Sequence, residues 1–297
     1  MEEYNTIIIG SGISGMTAAI YLRRANIKTL IIERDMPGGE LNKACSIENY
    51  PGYLNISGSD LAMNIYNQLL EYNPDYLYEE VINVDLNNRN IKTDTKQIKY
   101  TNLIIASGRR NKTLNLIDED KYIGQGISFC ASCDGALYKN EVVIVVGGAN
   151  SAISEALYLS NICKKVYLIY RKEELRGEEI LKIRLNKFSN IEIIYNREVK
   201  EYIHDNDKIK GVKLDNGEVI NASCIFLAIG YIPNSELFDV DKDNGYIKVN
   251  QHYLTNIDNV YACGDVIKKE LYQLVTSASE GAIVANNIIH NIKYNKN

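Results

Sequence analysis

Apolar and polar positions along the chain repeat one short pattern twice. Residues 6–9 form a β-branched apolar run, the composition of a parallel strand buried on both faces. The turn Gly10-Ser11-Gly12-Ile13-Ser14-Gly15 follows. Residues 16–24 then carry helical spacing, and residues 28–33 form a second apolar run that ends in Glu33. Pro37-Gly38-Gly39 breaks the chain. The same grammar returns in the middle. Residues 141–146 read as a buried strand, 147–152 as a turn, 153–159 as a helix and 165–170 as the next strand. Two strand–turn–helix–strand units predict two dinucleotide-binding modules in an α/β chain, not a short-period repeat. Between them, residues 81–99 alternate as strands and hairpins. Residues 103–105 run into Ala106-Ser107-Gly108, a strand ending in a tight turn, and 225–230 repeat that ending before Tyr231-Ile232-Pro233-Asn234. The stretch 271–292 reads as a terminal helix.

Composition narrows the function classes. A chain of 297 residues suffices for two domains, and 45% hydrophobic with 24% charged residues is an ordinary globular balance. A net charge of −5 speaks against a nucleic-acid partner. No apolar run reaches the length of a membrane span. The opening MEEYNTIIIG lacks the basic and apolar regions of a signal peptide, so a cytoplasmic location is expected.

The first turn is Gly-x-Gly-x-x-Gly, with Gly10 turning the chain, Gly12 admitting a pyrophosphate and Gly15 letting helix and strand pack closely. Glu33 stands where a carboxylate accepts from both ribose hydroxyls and repels a 2′-phosphate, which suits FAD or NAD. The second turn carries Gly147, Ala149 and Ala152, a departure at the middle position. Beyond its second strand stand Arg171, Lys172 and Arg176, cations suited to the 2′-phosphate of NADPH. The bland alternative is a solvated basic segment, partly neutralised by Glu173 and Glu174.

Of the six cysteines, only Cys130 and Cys133 are close in sequence, as Cys130-Ala-Ser-Cys133-Asp134-Gly135. Structural zinc needs four ligands, and neither a second Cys-x-x-Cys nor a nearby histidine supplies them; His204, His252 and His290 stand apart, and no metal is expected. A thioredoxin-like domain does not match the flanking modules. A dithiol exchanging electrons with a flavin fits, with Asp134 as proton donor and acceptor. Cys45, Cys163, Cys224 and Cys263 lie in or beside apolar segments and read as buried, inert thiols.

With these motifs in view, the chain resembles the low-molecular-weight thioredoxin reductases almost end to end. The matching stretches include GSGISG, PGGEL, ENYPGY, IIASG, CASCDG, VVGGANSAISEALYLS, YRKEELRGEEIL, AIGYIPN and YACGDV. The resemblance implies two Rossmann-like three-layer (ββα) domains, the second inserted in the first: an FAD domain from 1–112 and 243–297, and an NADPH domain over 113–242 carrying the Cys-x-x-Cys. It places Gly10, Gly12, Gly15, Glu33, Glu40, Asn49, Asp265 and Gln273 on FAD contacts. It places Gly147, Ser151, Arg171, Lys172 and Arg176 on NADPH contacts. Cys133 would face the flavin, Cys130 would attack the substrate disulfide, and Asp134 would be the acid. Electrons would pass from NADPH through FAD and the cysteine pair to thioredoxin or a similar protein, in a homodimer. The family shows Gly, His and Arg where this chain has Ala149, Tyr170 and Lys172, Arg where it has Tyr272, and commonly Gln where it has Glu40. A ferredoxin-fed reductase is therefore one rival, and a flavin-binding redox sensor another; Arg171 and Arg176 favour NADPH.

Overall fold

The computed structural model describes residues 2–44, 47–205 and 208–294. Cys45 lies outside the described residues. The chain forms two compact units, Met1–Arg110 with Ile232–Asn297, and Asn111–Tyr231. The return to the first unit thus falls earlier than the expected 242. The reason is packing: Phe238 and Val240 are buried in the first unit's core with Ile7, Leu30 and Leu103.

In the first unit, Asp75–Tyr78, Thr29–Glu33, Glu2–Ile9 and Gln97–Ile105 lie side by side as parallel strands, with Val260–Ala262 on the far edge of the last. Val81–Asp85 and Asn90–Thr93 continue antiparallel from the front half of Gln97–Ile105. Strand periodicity sends successive side chains to opposite faces. Ile8, Ile31 and Ile104 pack against helices Ile13–Arg24 and Leu274–Tyr294, while Ile7, Ile9 and Leu103 face the meander residues Val84 and Ile91. Both faces are covered, which is why the strands read as unbroken apolar runs. Each fully buried isoleucine contributes roughly 2 kcal/mol.

The inserted unit repeats the plan. Ile191–Tyr195, Lys165–Tyr170, Val142–Val146, Cys224–Leu227 and Ile127–Ser128 form a parallel sheet in that order. Helices Asn150–Ser160 and Glu179–Leu185 cover one face, and the antiparallel meander Val199–Asp205, Lys208–Leu214, Val219–Asn221 covers the other. Three layers and the parallel order bear out the expected α/β class.

The two turns share their hydrogen bonds as well. Gly10 N–H donates to Ile32 O (2.9 Å), and Gly147 N–H to Ile169 O (3.0 Å). Ala106 N–H donates to Ile9 O (2.9 Å), and Ala228 N–H to Val146 O (2.9 Å). A returning loop also binds each turn: Gly38 N–H donates to Ser11 O (2.9 Å), and Arg176 N–H to Gly148 O (2.7 Å). Both helices begin earlier than their spacing suggests, at Ile13 and Asn150, because the third small residue lies inside the first helical turn.

At the crossings each unit closes on itself. Asn234 N–H donates to Gly108 O (3.0 Å) and Ser107 Oγ to Asn234 O (2.6 Å) in the first unit. Lys112 N–H donates to Gly230 O (2.9 Å) in the inserted one.

Candidate functional site

The first unit holds a cleft of ≈ 830 Å³ at the C-terminal ends of its parallel strands, the position where open α/β sheets bind ligands. Gly10, Gly12, Glu33, Glu40, Asp265 and Gln273 all border it. Gly15 lies behind, because a Cβ there would run into the carbonyl oxygen of Gly10. Gly12 is the opposite case. Its φ of −65° suits any residue, and nothing lies within 4 Å of the place its Cβ would occupy. That open space above a helix N-terminus fits a pyrophosphate. Glu33 Oε2 accepts from Ser11 N–H (2.8 Å) and Ser11 Oγ (3.0 Å), so its carboxylate is fixed beside the turn. Asn49 does not border the cleft, but its amide donates to Gln273 Oε1 (3.0 Å), joining two expected contacts distant in sequence.

Asp265 sits in a charge network that the sequence did not announce. Its carboxylate meets Arg109 Nε (3.1 Å), Lys269 Nζ (3.1 Å) and Ser277 Oγ (3.2 Å). Lys269 also pairs with buried Glu280 (3.1 Å), which accepts from Gly264 N–H (2.7 Å). Burial pushes the Glu280 carboxyl up, while Lys269 opposes that shift. The Arg109 guanidinium lies 4.2 Å from the centroid of the Tyr272 ring, a cation–π stack. Tyr272 therefore borders the cleft as an aromatic platform beneath a cation. No local motif marks Arg109, Lys269 or Ser277, since each matters only through the fold.

In the inserted unit Cys130 and Cys133 are joined as a disulfide. Cys130 caps the short helix Ala131–Asp134, its Sγ accepting from Cys133 N–H (3.2 Å). Asp134 is the last residue of this helix. Buried Ser128 donates to Asp134 Oδ2 (2.7 Å) and accepts from Cys130 N–H (3.1 Å), tying the acid to the disulfide's backbone. The sequence reading missed Ser128, although it stands two residues before the first cysteine. The remaining described thiols are buried. Burial pushes Cys163 up to about 11 and Cys224 and Cys263 up to about 12, so each stays protonated near neutral pH.

The second turn shows what replaces the ribose acid. Matching hydrogen bonds at Ile32 and Ile169 make Tyr170 the counterpart of Glu33. The Tyr170 ring lies against Gly148, where a Cβ would collide with it. Its hydroxyl is buried without a hydrogen-bond partner among the described residues. Ala149 takes the helix-capping place of Gly12, with extended backbone (φ −104°) open to any residue, so its methyl group costs no strain. Ser151, Arg171, Lys172 and Arg176 are all exposed. Glu155, on the same helix, has one carboxylate oxygen buried without a hydrogen bond among the described residues.

Burial pushes Glu155 from 4.5 up to about 7. The folded protein therefore keeps a proton, between those values, that the unfolded chain has released. That contribution to stability is full below 4.5 and is lost as pH rises through about 7. Glu155→Gln is expected to leave stability unchanged near about pH 4 and to raise it by about 2 kcal/mol near about pH 8. Denaturant titration of both proteins at the two pH values checks this; an equal difference at both would sink it.

The description "Pyridine nucleotide-disulphide oxidoreductase" belongs to the family model that matches residues 4–282. The thioredoxin reductase of Listeria monocytogenes is 36% identical over 96% of this chain and 92% of its own. That of Mycoplasma genitalium is 40% identical over 94% of this chain and 92% of its own. The crystal structure of Lactococcus lactis thioredoxin reductase superposes with a TM-score of 0.81 at 35% identity, covering 96% of this chain and 97% of that one. With a duplicated dinucleotide fold and a Cys130–Cys133 disulfide already in place, these matches assign the chain to the pyridine nucleotide-disulphide oxidoreductase family, among its low-molecular-weight thioredoxin reductases.

Proposed function

We propose that this chain reduces the disulfide of thioredoxin or a similar protein with electrons from NADPH, holding FAD in the first unit's cleft. The reaction balances as NADPH, a proton and a protein disulfide giving NADP⁺ and a protein dithiol. The observation that carries the reading is the Cys130–Cys133 disulfide, with Asp134 hydrogen-bonded through Ser128 to the same short segment. When bound, FAD supplies two-electron transfer between a nicotinamide and a disulfide. The open space at Gly12 suits its pyrophosphate and Glu33 its ribose, with Glu40, Asn49, Asp265 and Gln273 along the same cleft or joined to it.

Cys130 is the thiol offered to the substrate and Cys133 the resolving one. A two-residue spacing lets the pair close after each turnover. Asp134 accepts the proton released as a thiolate forms and returns it to the leaving sulfur. For the donor, the second turn favours NADPH. An aromatic ring replaces the acid that would repel a 2′-phosphate, and Arg171, Lys172 and Arg176 have no ion-pair partner among the described residues. Gly147 and Ser151 lie at the turn and first helical turn that would receive the diphosphate.

A ferredoxin-fed reaction is the second reading. A ferredoxin–flavin thioredoxin reductase from Clostridium acetobutylicum is 29% identical, with a TM-score of 0.55. Anaerobic titration of the yellow protein with NADPH and NADH separates the two. About two equivalents of NADPH, one for the disulfide and one for the flavin, are expected to bleach the flavin within seconds, with NADH at least tenfold slower, roughly the effect of losing a charge-assisted contact. A flavin that stays oxidised with both would overturn NADPH as donor. No helix among the described residues is long and apolar enough to cross a membrane. We further propose a cytoplasmic homodimer; light scattering giving the mass of one chain would exclude the dimer.

A further inference from the structure

The loop after strand Lys165–Tyr170 of the inserted unit sorts its charges. Residues 171–179 contain the cations Arg171, Lys172 and Arg176, and the acids Glu173, Glu174, Glu178 and Glu179. Lys182 Nζ takes Glu174 Oε1 (3.1 Å) and Glu179 Oε1 (3.4 Å). Glu178 is engaged elsewhere. Its Oε1 accepts from Asn150 Nδ2 (2.9 Å), and its backbone N–H donates to Asn150 Oδ1 (2.8 Å). Three acids are thus held by partners, while the three cations have no ion-pair partner among the described residues. The loop is also fastened at its centre, where Arg176 N–H donates to Gly148 O (2.7 Å). Between these anchors Gly177 lies so close to Ile153 that a Cβ would collide with that side chain. Residues 176–178 are therefore pinned to the turn and first helical turn at 148–153 by three hydrogen bonds and one close packing contact.

Asn150 serves both halves of the clamp because a carboxamide donates and accepts at once. It is exposed, at the first position of helix Asn150–Ser160, and contributes nothing to the apolar core. We propose that the Asn150–Glu178 clamp determines selection of a 2′-phosphorylated adenosine, by holding Arg176 and its neighbouring cations where that phosphate binds. This inference rests on the coenzyme reading above. Asn150 is a positioning residue in it. Without the clamp, two of the three hydrogen bonds that pin the loop are gone, and the remaining cost of ordering it falls on the phosphate contacts the loop supplies. Contacts made by the glycine turn and helix N-terminus to the rest of the nucleotide are unaffected.

The test uses the flavin-loaded, oxidised protein and calorimetric binding of two probes, adenosine 2′,5′-bisphosphate and adenosine 5′-monophosphate. Asn150→Ala is expected to weaken the bisphosphate about tenfold and the monophosphate less than about twofold. In turnover the same variant raises the NADPH KM and leaves kcat in place. Glu178→Gln keeps the backbone donor and a side-chain acceptor, and is expected to retain or exceed the parent's preference, with one acid fewer near the phosphate. Parallel weakening of both probes by Asn150→Ala, or no change in either, overturns the clamp as a selector while leaving the coenzyme reading intact. A parent protein with no preference for the bisphosphate overturns the coenzyme reading itself, and the clamp's role with it.

Discussion

Cys133→Ser is expected to lower reduction of a protein disulfide by at least about a thousandfold, while NADPH still bleaches the bound flavin. The two cysteines are joined within one helical turn, with Cys130 capping the helix that carries Cys133. Serine preserves the cap and the fold but cannot form or break a disulfide, so electrons reaching the flavin have nowhere to go. The other described thiols cannot substitute: Cys163, Cys224 and Cys263 are buried, with pKa values pushed up to about 11 or 12. Cys130→Ser is expected to fail equally in turnover. The assay is reduction of thioredoxin read through a dithiol colour reagent, beside anaerobic flavin bleaching. Turnover within tenfold of the parent in either variant would remove the cysteine pair from the electron path.

Gly12→Ala and Gly15→Ala, three residues apart, are expected to fail in different ways. A methyl group at position 15 meets the backbone carbonyl of Gly10, and neither backbone can move without parting the helix from the sheet. The expected cost is roughly 3 kcal/mol or more, with protein that is largely insoluble and colourless. At position 12 the backbone already has an ordinary φ of −65°, and nothing in the chain lies within 4 Å of the added atom. This variant is expected to melt within about 0.5 kcal/mol of the flavin-free parent, yet to bind FAD at least about a hundredfold more weakly, because its methyl group fills the space reserved for the pyrophosphate. Flavin titration of the apoproteins with parallel denaturant curves checks both. Gly12→Ala that stays yellow at parental affinity would place the pyrophosphate elsewhere.

What could be read from the sequence was what is local. Glycine spacing, β-branched runs and the cysteine pair each act within a few residues, and their elements form in the expected order, with only the helix starts shifted to Ile13 and Asn150. Helix Gly58–Leu70 lacks a glycine turn or an apolar run to mark it, yet it carries a signal at its start: Ser57 Oγ accepts from Asp60 N–H (3.1 Å). The second crossing was misplaced because nothing in residues 231–242 changes composition. Only burial of Phe238 beside strands far away in sequence shows which unit owns them. Arg109 and Tyr272 lie far apart along the chain, and their stack exists only through sheet order. Tyr170 looked like a plain departure from pattern. Its equivalence to Glu33 emerges from hydrogen bonds that no linear motif encodes.

The way each unit closes at the crossings bears on how the chain could be cut. Asn234 N–H donates to Gly108 O, and Lys112 N–H to Gly230 O, so the excursion leaves and rejoins its host at residues joined by a hydrogen bond. Such a junction is topologically cheap, the kind at which modules are exchanged between proteins. A short glycine-bearing turn spliced from residue 108 to 234 has a natural seat there, and the sheet from Gln97–Ile105 to Val260–Ala262 need not notice the excision.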